Sequence, residues 1–545
     1  MSLRRRITNW IEHRTGIETA VRNFLYDEIP ASAGWRNVFG SVALFAFLVQ
    51  AFTGILLAFN YAPTPGDAYN SLRYILTEVT GGKLIRGLHH WGASVMVVVV
   101  LLHMAQVFLW GAYKKPREAT WIVGVVLLLL TLAFGLTGYL LPWDNRAYWG
   151  TVVTLQIMGK APVLGGYLMR LLGGGDVGVV TFARFYALHV LLLPPLTLLL
   201  IGLHIYLVRK HGVAPVPGDE TRPKKHFFPQ QVFRDTLAIF AAFAVLFIMA
   251  VAARVPLERL ADPTDTTYIP RPEWYFLFLF QTLRLFEGPL EVIGAVVLPN
   301  VAILLLFLVP FIDRGRMIRV GKRTFAIGAL ALAALGWTGL TVAAVRSTPA
   351  PETVALIDFS EPTGWIELTP VELAGIGYYR KENCDACHGQ ARIGPDLANR
   401  PVRRSAEWLI EHFKRPGQMQ PGSMMPPVQL EDADLNALAA FLLKLTARNA
   451  QALQSAPDFV VEAAMLYESH KCGSCHLLNG AGMKVGPPLN GLARRRTRTW
   501  VVRHFREPQV MSPGTIMPPY HFRPRQMEAM VSYLFVLPDQ NASAE

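Results

Sequence analysis

Seven long apolar stretches follow one another through the first two thirds of the chain, separated by polar segments. They lie at about residues 36–60, 89–111, 120–141, 184–209, 234–253, 290–311 and 325–346. A helix of about 20 apolar residues crosses the roughly 30 Å hydrocarbon core of a bilayer. The pattern therefore predicts a bundle of seven transmembrane helices, which we call spans one to seven. The glycine-rich segment 142–183, between spans three and four, predicts short surface helices.

The pattern changes after residue 346. Residues 347–370 contain prolines and threonines without a long apolar run, which is typical of a linker. The remainder has the mixed polarity of soluble helical domains. We therefore expect an all-α protein built from six parts: a cytoplasmic N-terminal segment (1–35), a four-helix part (36–209), a three-helix part (210–346), the linker (347–370) and two small helical domains (371–450 and 451–545).

The formal net charge of +13 comes largely from the polar segments that flank the spans. Basic clusters precede span one (Arg4, Arg5, Arg6) and follow span two (Lys114, Lys115, Arg117), span four (Arg209, Lys210, Lys224, Lys225) and span six (Arg314, Arg316, Arg319, Lys322, Arg323). All of them lie on one side of the membrane if the N-terminus is cytoplasmic. The charge therefore indicates orientation and contact with anionic membrane lipid, and no nucleic-acid partner. Seven spans place the C-terminal domains on the opposite, extracytoplasmic face.

Four histidines are placed at regular intervals in this apolar sequence. His89 and His103 are fourteen residues apart, and His189 and His204 are fifteen apart. At about 1.5 Å of rise and about 100° of rotation per residue, each pair covers roughly 21–22 Å near one helix face. Two such helices side by side present imidazoles to each other at two depths. The arrangement predicts two stacked haems, each between two histidines, and electron transfer across the bilayer.

Glycines in two other spans repeat the same interval. Gly40 and Gly54 in span one are fourteen residues apart, as are Gly124 and Gly138 in span three. Glycine allows a flat macrocycle to approach the backbone closely, although glycines in membrane helices also serve packing alone. One arginine precedes the first histidine in each of spans two and four: Arg86 precedes His89, and Arg184 precedes His189. They are candidates to neutralise haem propionates or to lie at the membrane interface without that role.

The C-terminal part contains an internal repeat. Its first motif, Cys384-Asp385-Ala386-Cys387-His388, recurs 88 residues later as Cys472-Gly473-Ser474-Cys475-His476, and Met425-Pro426-Pro427 recurs 92 residues later as Met517-Pro518-Pro519. All four cysteines of the chain lie in these motifs. CxxCH attaches haem c covalently and supplies a histidine ligand, and a methionine as the sixth ligand raises the haem potential. Each copy therefore predicts one covalently bound haem c.

The two copies differ in length at one place. His388 is seven residues from Pro395, whereas His476 is eleven residues from Pro487. Of the adjacent residues Met424 and Met425, the repeat aligns Met425 with Met517, which favours it as the ligand.

Residues 1 to about 346 resemble cytochrome b of the Rieske–cytochrome bc complexes, the quinol:cytochrome c oxidoreductases. The resemblance lies in five segments: Leu84-Ile85-Arg86-Gly87-Leu88-His89, Lys114-Lys115-Pro116-Arg117-Glu118, Gly138-Tyr139-Leu140-Leu141-Pro142-Trp143-Asp144, Arg184-Phe185-Tyr186-Ala187-Leu188-His189 and Pro272-Glu273-Trp274-Tyr275. The fifteen-residue histidine interval and the Pro-Trp-Asp resemble the chloroplast-type branch. The C-terminal module resembles tandem class I cytochrome c.

The resemblance implies roles for particular residues. His89 and His189 would hold an outer haem b of lower potential, and His103 and His204 an inner one of higher potential. The remaining residues divide between two quinone sites: Pro272, Glu273, Trp274, Tyr275 and Tyr139 at an outer quinol-oxidation site, and His211, Arg234 and Asp235 at an inner quinone-reduction site. A carboxylate near the haem, such as that of Glu273, can accept a quinol proton and rotate toward water.

The function implied is electron bifurcation. One quinol electron would pass to a Rieske iron–sulfur protein and the c haems, then to a soluble cytochrome c or similar carrier. The other would cross the two b haems to the inner quinone site, with proton translocation. The resemblance also implies a multisubunit homodimer in a bacterial cytoplasmic membrane, with the c domains in the periplasm. Two alternatives are a non-bifurcating electron conduit from the quinone pool and a haem-based sensor.

Overall fold

The computed structural model describes residues 3–174, 177–219, 221–258, 260–263, 268–286, 288–347, 364–389, 393–397, 402–445 and 455–538. Most of the expected linker, residues 347–370, lies outside the described residues. The described chain is built almost wholly of helices, as the sequence predicts.

The seven predicted spans are confirmed as seven helices long and apolar enough to cross a membrane. They are Trp35–Ala58, Gly82–Trp110, Glu118–Tyr139, Val179–His211, Gln230–Ala252, Ile293–Ile312 and Thr324–Ser347. Span two begins seven residues before the predicted apolar stretch, and its first two turns include the charged residues Lys83 and Arg86. It is bounded by Gly81 (φ 75°) and Gly111 (φ 64°), whose left-handed backbone conformations are accessible to glycine at low cost.

Spans one to four enclose the centre of the membrane part. Ala46, Phe47 and Met96 form a buried cluster there, against which Phe134 and Ile201 pack. Span five lies against span two, where a Cβ on Gly87 would approach the carbonyl oxygen of Ala250 to 2.8 Å. The glycine therefore sets the spacing of these two helices.

Shorter elements complete the membrane part. The helices are Leu3–Thr15, Ile17–Leu25, Ala68–Thr77, Asn145–Gly159, Gly165–Gly173 and Leu277–Arg284. Residues Glu28–Ile29 and Lys225–His226 pair as an antiparallel ladder, with Glu28 opposite His226. The predicted surface helices of the segment 142–183 are thus present. Asp144 caps the first of them by accepting a hydrogen bond of 2.8 Å from the Ala147 amide.

The two C-terminal domains repeat one arrangement of helices. The helices Pro370–Lys381, Ala406–Lys414, Pro416–Met419 and Asp432–Lys444 of the first correspond to Asp458–Ser469, Arg498–Arg506, Pro508–Met511 and Pro524–Val536 of the second. The short helix Asp385–His388 at the first motif corresponds to the 3-10 turn Cys472–Ser474 at the second, and Leu492–Arg495 is a further helix of the second domain. Equivalent helices have equivalent N-caps: the Ser405 hydroxyl accepts from the amide of Trp408, and the Thr497 hydroxyl accepts from that of Trp500. The first and last helices of each domain pack together around buried aromatic rings such as Phe441 and Tyr533.

The C-terminal domains lie against one end of the membrane part. We call it the outer end, because it carries His89 and His189. A Cβ on Gly66, in the connection between spans one and two, would lie 3.0 Å from the carbonyl oxygen of Phe535 and 3.9 Å from the Cβ of Ala493. One continuous apolar cluster joins the outer surface helices to the cores of both domains.

Candidate redox sites

The four histidines form two facing pairs. The ring centroids of His89 and His189 are 6.3 Å apart with 76° between the ring planes, and those of His103 and His204 are 6.4 Å apart with 78° between the planes. A metal ion between two imidazole nitrogens requires centroids about 6 Å apart, because each metal–nitrogen bond is about 2 Å long and each nitrogen lies about 1 Å from its ring centre. Both pairs therefore fit a haem iron with two histidine ligands.

Each imidazole lies over one of the four glycines. An added Cβ would lie 3.4 Å from the Cε1 of His103 at Gly40, 3.1 Å from that of His89 at Gly54, 3.4 Å from that of His204 at Gly124 and 2.6 Å from that of His189 at Gly138. The structure thus brings every predicted glycine to a predicted histidine. The contact is to the ligand ring, which lets the imidazole itself approach the neighbouring backbone.

A π-helical turn contains His189. Residues Ala187–Leu192 form it, and the amide of Leu193 donates to the carbonyl of Leu188 five residues back. The following Pro194 and Pro195 lack the N–H groups that an α-helical ladder needs here. The turn takes up one residue more than an α-helical turn, which accounts for the fifteen-residue interval in span four.

Two threonines distinguish the outer pair from the inner pair. Thr53 Oγ1 lies 3.0 Å from His89 Nδ1, and Thr137 Oγ1 lies 3.0 Å from His189 Nδ1. Each hydroxyl donates its own proton to a helix carbonyl, Thr53 to Val49 and Thr137 to Ala133, so it is left to accept from the imidazole. Phe39 and Val123 occupy the corresponding positions before Gly40 and Gly124. Sequence reasoning missed this difference, although the Thr-Gly pairs are visible in the chain.

The segment Pro272–Tyr275 is anchored to spans two and three. Trp274 Nε1 donates to Ser94 Oγ at 3.1 Å. Tyr275 is buried, and a Cβ on Gly135 would lie 2.6 Å from its hydroxyl. Gly135 is one turn before Gly138, so this tyrosine lies beside the outer histidine pair.

Glu273 faces a cation that the sequence did not reveal. Arg146 Nη2 lies 3.2 Å from Glu273 Oε1, and both side chains are about 20% exposed. Arg146 Nε and the Tyr139 hydroxyl both donate to the carbonyl of Arg271, at 3.0 and 2.8 Å. Glu273 and Tyr139 are thus brought together as predicted, and Arg146 joins them. Burial raises the pKa of the Glu273 carboxyl, while Arg146 opposes that rise.

The candidates for the inner site lie at the end of the membrane part away from the outer histidine pair. His211 is the last residue of span four, and Arg234 and Asp235 lie near the start of span five. Asp235 accepts hydrogen bonds from Ser41 Oγ at 2.9 Å and Gln231 Nε2 at 2.8 Å. The buried Nη1 of Arg234 has no hydrogen-bond partner among the described residues. His211 ends span four, and its carbonyl accepts from Arg117 at 2.9 Å. The unpaired guanidinium nitrogen is a donor available to a ligand.

The two arginines near the outer pair have backbone partners. Arg86 is buried and donates to the carbonyls of Val255 and Pro256, at 3.4 and 2.9 Å, which ties span two to the segment after span five. Arg184 donates to the carbonyl of Arg170 at 2.8 Å. A role for either arginine at haem propionates stays a prediction.

The two CxxCH motifs have the same local geometry. His388 Nδ1 lies 3.0 Å from the carbonyl of Pro395, and His476 Nδ1 lies 2.9 Å from that of Pro487. This contact fixes the protonated nitrogen and leaves Nε2 for a metal. A Cβ on Gly394 or Gly486 would lie 2.7 or 2.6 Å from the Cε1 of the respective histidine.

The methionine segments are held by the helices before them. The amide of Val428 donates to the carbonyl of Phe413 at 2.8 Å, and that of Tyr520 to Phe505 at 2.7 Å. Met425 is half-buried, whereas Met424 is 82% exposed. The environment thus favours Met425 as the inward-facing residue of the pair.

Four family models match successive parts of the chain. They are "Cytochrome b/b6/petB" over residues 28–212, "Cytochrome b(C-terminal)/b6/petD" over 260–359, "Cytochrome C oxidase, cbb3-type, subunit III" over 373–442 and "Cytochrome c" over 460–537. The order of these matches follows the order of the parts expected from the hydrophobic pattern.

Similar proteins cover the membrane part. A "Cytochrome bc complex cytochrome b subunit" from Chlorobaculum thiosulfatiphilum is 37% identical over 321 residues, which is 57% of this chain and 75% of the relative. The cytochrome b6 of Gracilaria tenuistipitata var. liui is 40% identical over 210 residues, and that of Acaryochloris marina is 41% identical over 210 residues. Each comparison covers 38% of this chain and 98% of the relative.

A solved structure shows the same membrane architecture. A chain described as "Hyperthermophilic respiratory Complex III" superposes with a TM-score of 0.57 at 30% identity, covering 65% of this chain and 94% of that chain. Together with the two facing histidine pairs, these similarities establish that the chain belongs to the cytochrome b family of bc-type complexes, as a multi-pass membrane protein fused at its C-terminus to haem-binding cytochrome c domains.

Proposed function

We propose that the chain is the fused cytochrome b/c subunit of a bifurcating quinol:cytochrome c oxidoreductase. The observation that carries the proposal is the contact of Tyr275 with Gly135, one turn from the glycine beneath His189. This contact supports the proposal because the segment contains the partly buried carboxylate of Glu273 and lies next to a histidine pair that fits a haem iron. A simple electron conduit needs the pairs but not this segment.

The outer site is suited to removing protons from a quinol. Quinol oxidation yields quinone, two protons and two electrons. Glu273 would accept a proton as a carboxylate, and Arg146 at 3.2 Å keeps that form accessible despite burial. On its other side Arg146 donates to the carbonyl of Arg271 and lies over the ring of Tyr139, whose hydroxyl donates to the same carbonyl. These residues would bind the hydroxyl and take its proton toward the outer face.

The histidines and cysteines would hold four haems. His89 with His189 and His103 with His204 fit two haems b, and the two CxxCH motifs with Met425 and Met517 fit two haems c. Haem, when bound, supplies a one-electron carrier at each of these positions. Contacts at Nδ1 would fix the imidazole tautomers of the outer b pair and of the two CxxCH histidines, and the spans would set the depth of each haem b.

The two electrons of each quinol would leave the outer site by separate routes. One would leave through a separate Rieske iron–sulfur protein to the C-terminal domains and a soluble cytochrome c or similar carrier. The other would cross to the inner site, where Arg234, Asp235 and His211 would bind and protonate a quinone. Proton release outside and uptake inside amounts to proton translocation across a bacterial cytoplasmic membrane, with the C-terminal domains in the periplasm. We expect the complex to be a homodimer.

The decisive experiment is oxidant-induced reduction in the purified complex. With the inner site inhibited, an added oxidant should drive reduction of haem b by quinol, since only a bifurcating site couples the two electrons. A non-bifurcating conduit would show oxidation of haem b instead, and that result would overturn the proposal.

Glu273→Gln tests the proton role separately. Quinol oxidation should slow by about a hundredfold or more, since general acid–base groups contribute about 10²- to 10⁴-fold, with all four haems retained. Glu291→Gln is the matched control, because that carboxylate pairs with Lys160 on the surface at 2.9 Å. Unchanged turnover in Glu273→Gln would remove Glu273 from the mechanism.

A further inference from the structure

The two C-terminal domains differ strongly in charge. The first matched region, residues 373–442, contains eight basic and eight acidic residues. The second, residues 460–537, contains ten basic and four acidic residues. Two copies of one unit with net charges of zero and +6 present different surfaces to a charged partner.

The second domain is four residues longer than the first just after the haem attachment motif. Its segment 477–486, which we call the insertion loop, contains the four extra residues between His476 and Pro487. The loop is bonded directly to the motif, because the amide of Met483 donates to the carbonyl of Gly473 at 2.9 Å and that of Val485 to Cys475 at 3.0 Å. At its other end, Asn479 Nδ2 donates to the carbonyls of Ile366 and Leu368, at 2.9 and 2.8 Å. The loop is therefore held at both ends.

Although their amides are bonded to the motif, the side chains of Met483 and Val485 project into solvent, and we call them the apolar tip of the insertion loop. Met483 and Val485 are each 61% exposed, and Lys484 between them is exposed. Ile516, next to the ligand candidate Met517, is 79% exposed. Exposed apolar side chains near a redox site, with charged side chains around them, are typical of a surface that contacts another protein.

Several cations of this domain lack acidic partners. Among the described residues, the exposed side chains of four have no hydrogen bond or ion pair: Lys471, Lys484, Arg506 and Arg523. Lys471 directly precedes Cys472, and Glu468 is the one nearby acidic residue in sequence. The first domain instead has acidic Glu382 and Asp385 at its motif, together with basic Lys381.

We propose that the second domain is the electron exit of this subunit, and that the insertion loop with Lys471 and Lys484 docks an acidic one-electron redox protein. The proposal rests on the proposed function for the direction of electron flow. In the step, one electron leaves the reduced second domain and the partner is reduced by one electron. No covalent bond forms or breaks. Charge complementarity would raise the encounter rate, and the apolar tip would form the dry contact.

The test begins from complex reduced with ascorbate, so it does not depend on quinol oxidation. The anionic oxidant hexacyanoferrate(III) and the cationic oxidant tris(1,10-phenanthroline)cobalt(III) are mixed separately with the complex in a stopped-flow instrument, and haem c oxidation is followed. In the double variant Lys471→Glu/Lys484→Glu, the rate with the anion should fall about three- to tenfold at low salt, the rate with the cation should rise, and both changes should vanish at high salt.

Arg392→Glu is the matched control, because Arg392 is the repeat counterpart of Lys484 in the first domain. It should leave the anion rate within twofold of the parent. An equal or larger loss in Arg392→Glu, or no loss in the double variant, would overturn the assignment of the exit. The haem c spectra of each variant verify that both domains remain folded with their ligands.

Binding provides a second readout that does not involve electron transfer. Retention of the complex on immobilised poly-L-glutamate should require less salt for elution in the double variant than in Arg392→Glu. If the double variant instead loses only its affinity for phosphatidylglycerol vesicles and keeps that for poly-L-glutamate, the surface binds lipid and the proposal is wrong. Absence of quinol-driven haem reduction, with these results unchanged, would refute the proposed function alone.

Discussion

His189 and His204 are separated by one residue more than His89 and His103. The facing pairs, His89 with His189 and His103 with His204, nevertheless have the same geometry. The ring centroids are 6.3 and 6.4 Å apart and the planes meet at 76° and 78°. The π-helical turn Ala187–Leu192 absorbs the additional residue. Without it, the fifteenth residue would rotate His204 by about 100° relative to its position in a fourteen-residue interval. The turn is therefore what keeps both imidazoles of span four facing span two.

The closest glycine contact predicts selective loss of one haem. In Gly138→Ala the new Cβ would lie 2.6 Å from His189 Cε1, which forces the ligand ring to move, whereas in Gly40→Ala the contact with His103 is 3.4 Å, an ordinary distance. We expect Gly138→Ala to lose most of the outer haem b and Gly40→Ala to keep both. Pyridine haemochrome spectra of the purified variants give the ratio of haem b to haem c. Equal haem b content in the two variants would contradict the expectation.

The threonine contacts predict a difference in potential between the two b haems. Thr137→Val removes the acceptor 3.0 Å from His189 Nδ1 and makes the imidazole a weaker electron donor to iron. A hydrogen bond is worth about 1 kcal/mol, so the outer haem potential should rise by about 40 mV. Redox titration of the α-band measures the shift.

Thr131→Val is the control for that substitution. Thr131 is buried in the same span and its hydroxyl donates to the carbonyl of Leu127 at 2.9 Å. It should leave both b potentials in place, and an equal rise in both variants would mean that the hydrogen bond to His189 is not the cause.

The ion pair of Arg146 with Glu273 predicts a shift in pH dependence. Burial raises the pKa of Glu273 and Arg146 lowers it, so Arg146→Gln should raise that pKa further. In the proposed function quinol oxidation uses the carboxylate form of Glu273, so the acidic limb of the rate profile should move to higher pH. Arg146→Lys keeps the charge and should move the limb less. A limb that stays in place or moves to lower pH in Arg146→Gln would show that Glu273 does not control it.

The neighbouring methionines of the first C-terminal domain predict opposite outcomes. Met425→Leu should remove the sixth ligand and lower the potential of that haem c by on the order of 0.1 V, within the about 0.8 V that axial ligands span. Met424→Leu should change neither potential nor spectrum, because Met424 is 82% exposed. The methionine–iron charge-transfer band and a redox titration measure both. Loss of the band in Met424→Leu would reverse the assignment.

Local sequence patterns were sufficient to predict the membrane spans and the candidate haem-ligand residues. The spans are recognised from runs of apolar residues, the candidate haem c sites from the fixed spacing of CxxCH, and the candidate haem-ligand histidines from their interval along one helix face. Each of these signals lies within a single element, because a side chain's position on a helix follows from the 3.6-residue turn alone.

Contacts between distant parts of the chain were decided only by the tertiary structure. Arg146 and Glu273 are 127 residues apart, and Gly66 lies against Phe535 although most of the chain separates them. Neither contact has a periodic signature, because helix packing and the path of the connections determine which faces meet. The sequence by itself thus determined which residues are candidate metal ligands and which stretches are apolar enough to cross a membrane. The packing of the helices determined which of them face each other, since only that packing brings side chains on separate elements within bonding distance.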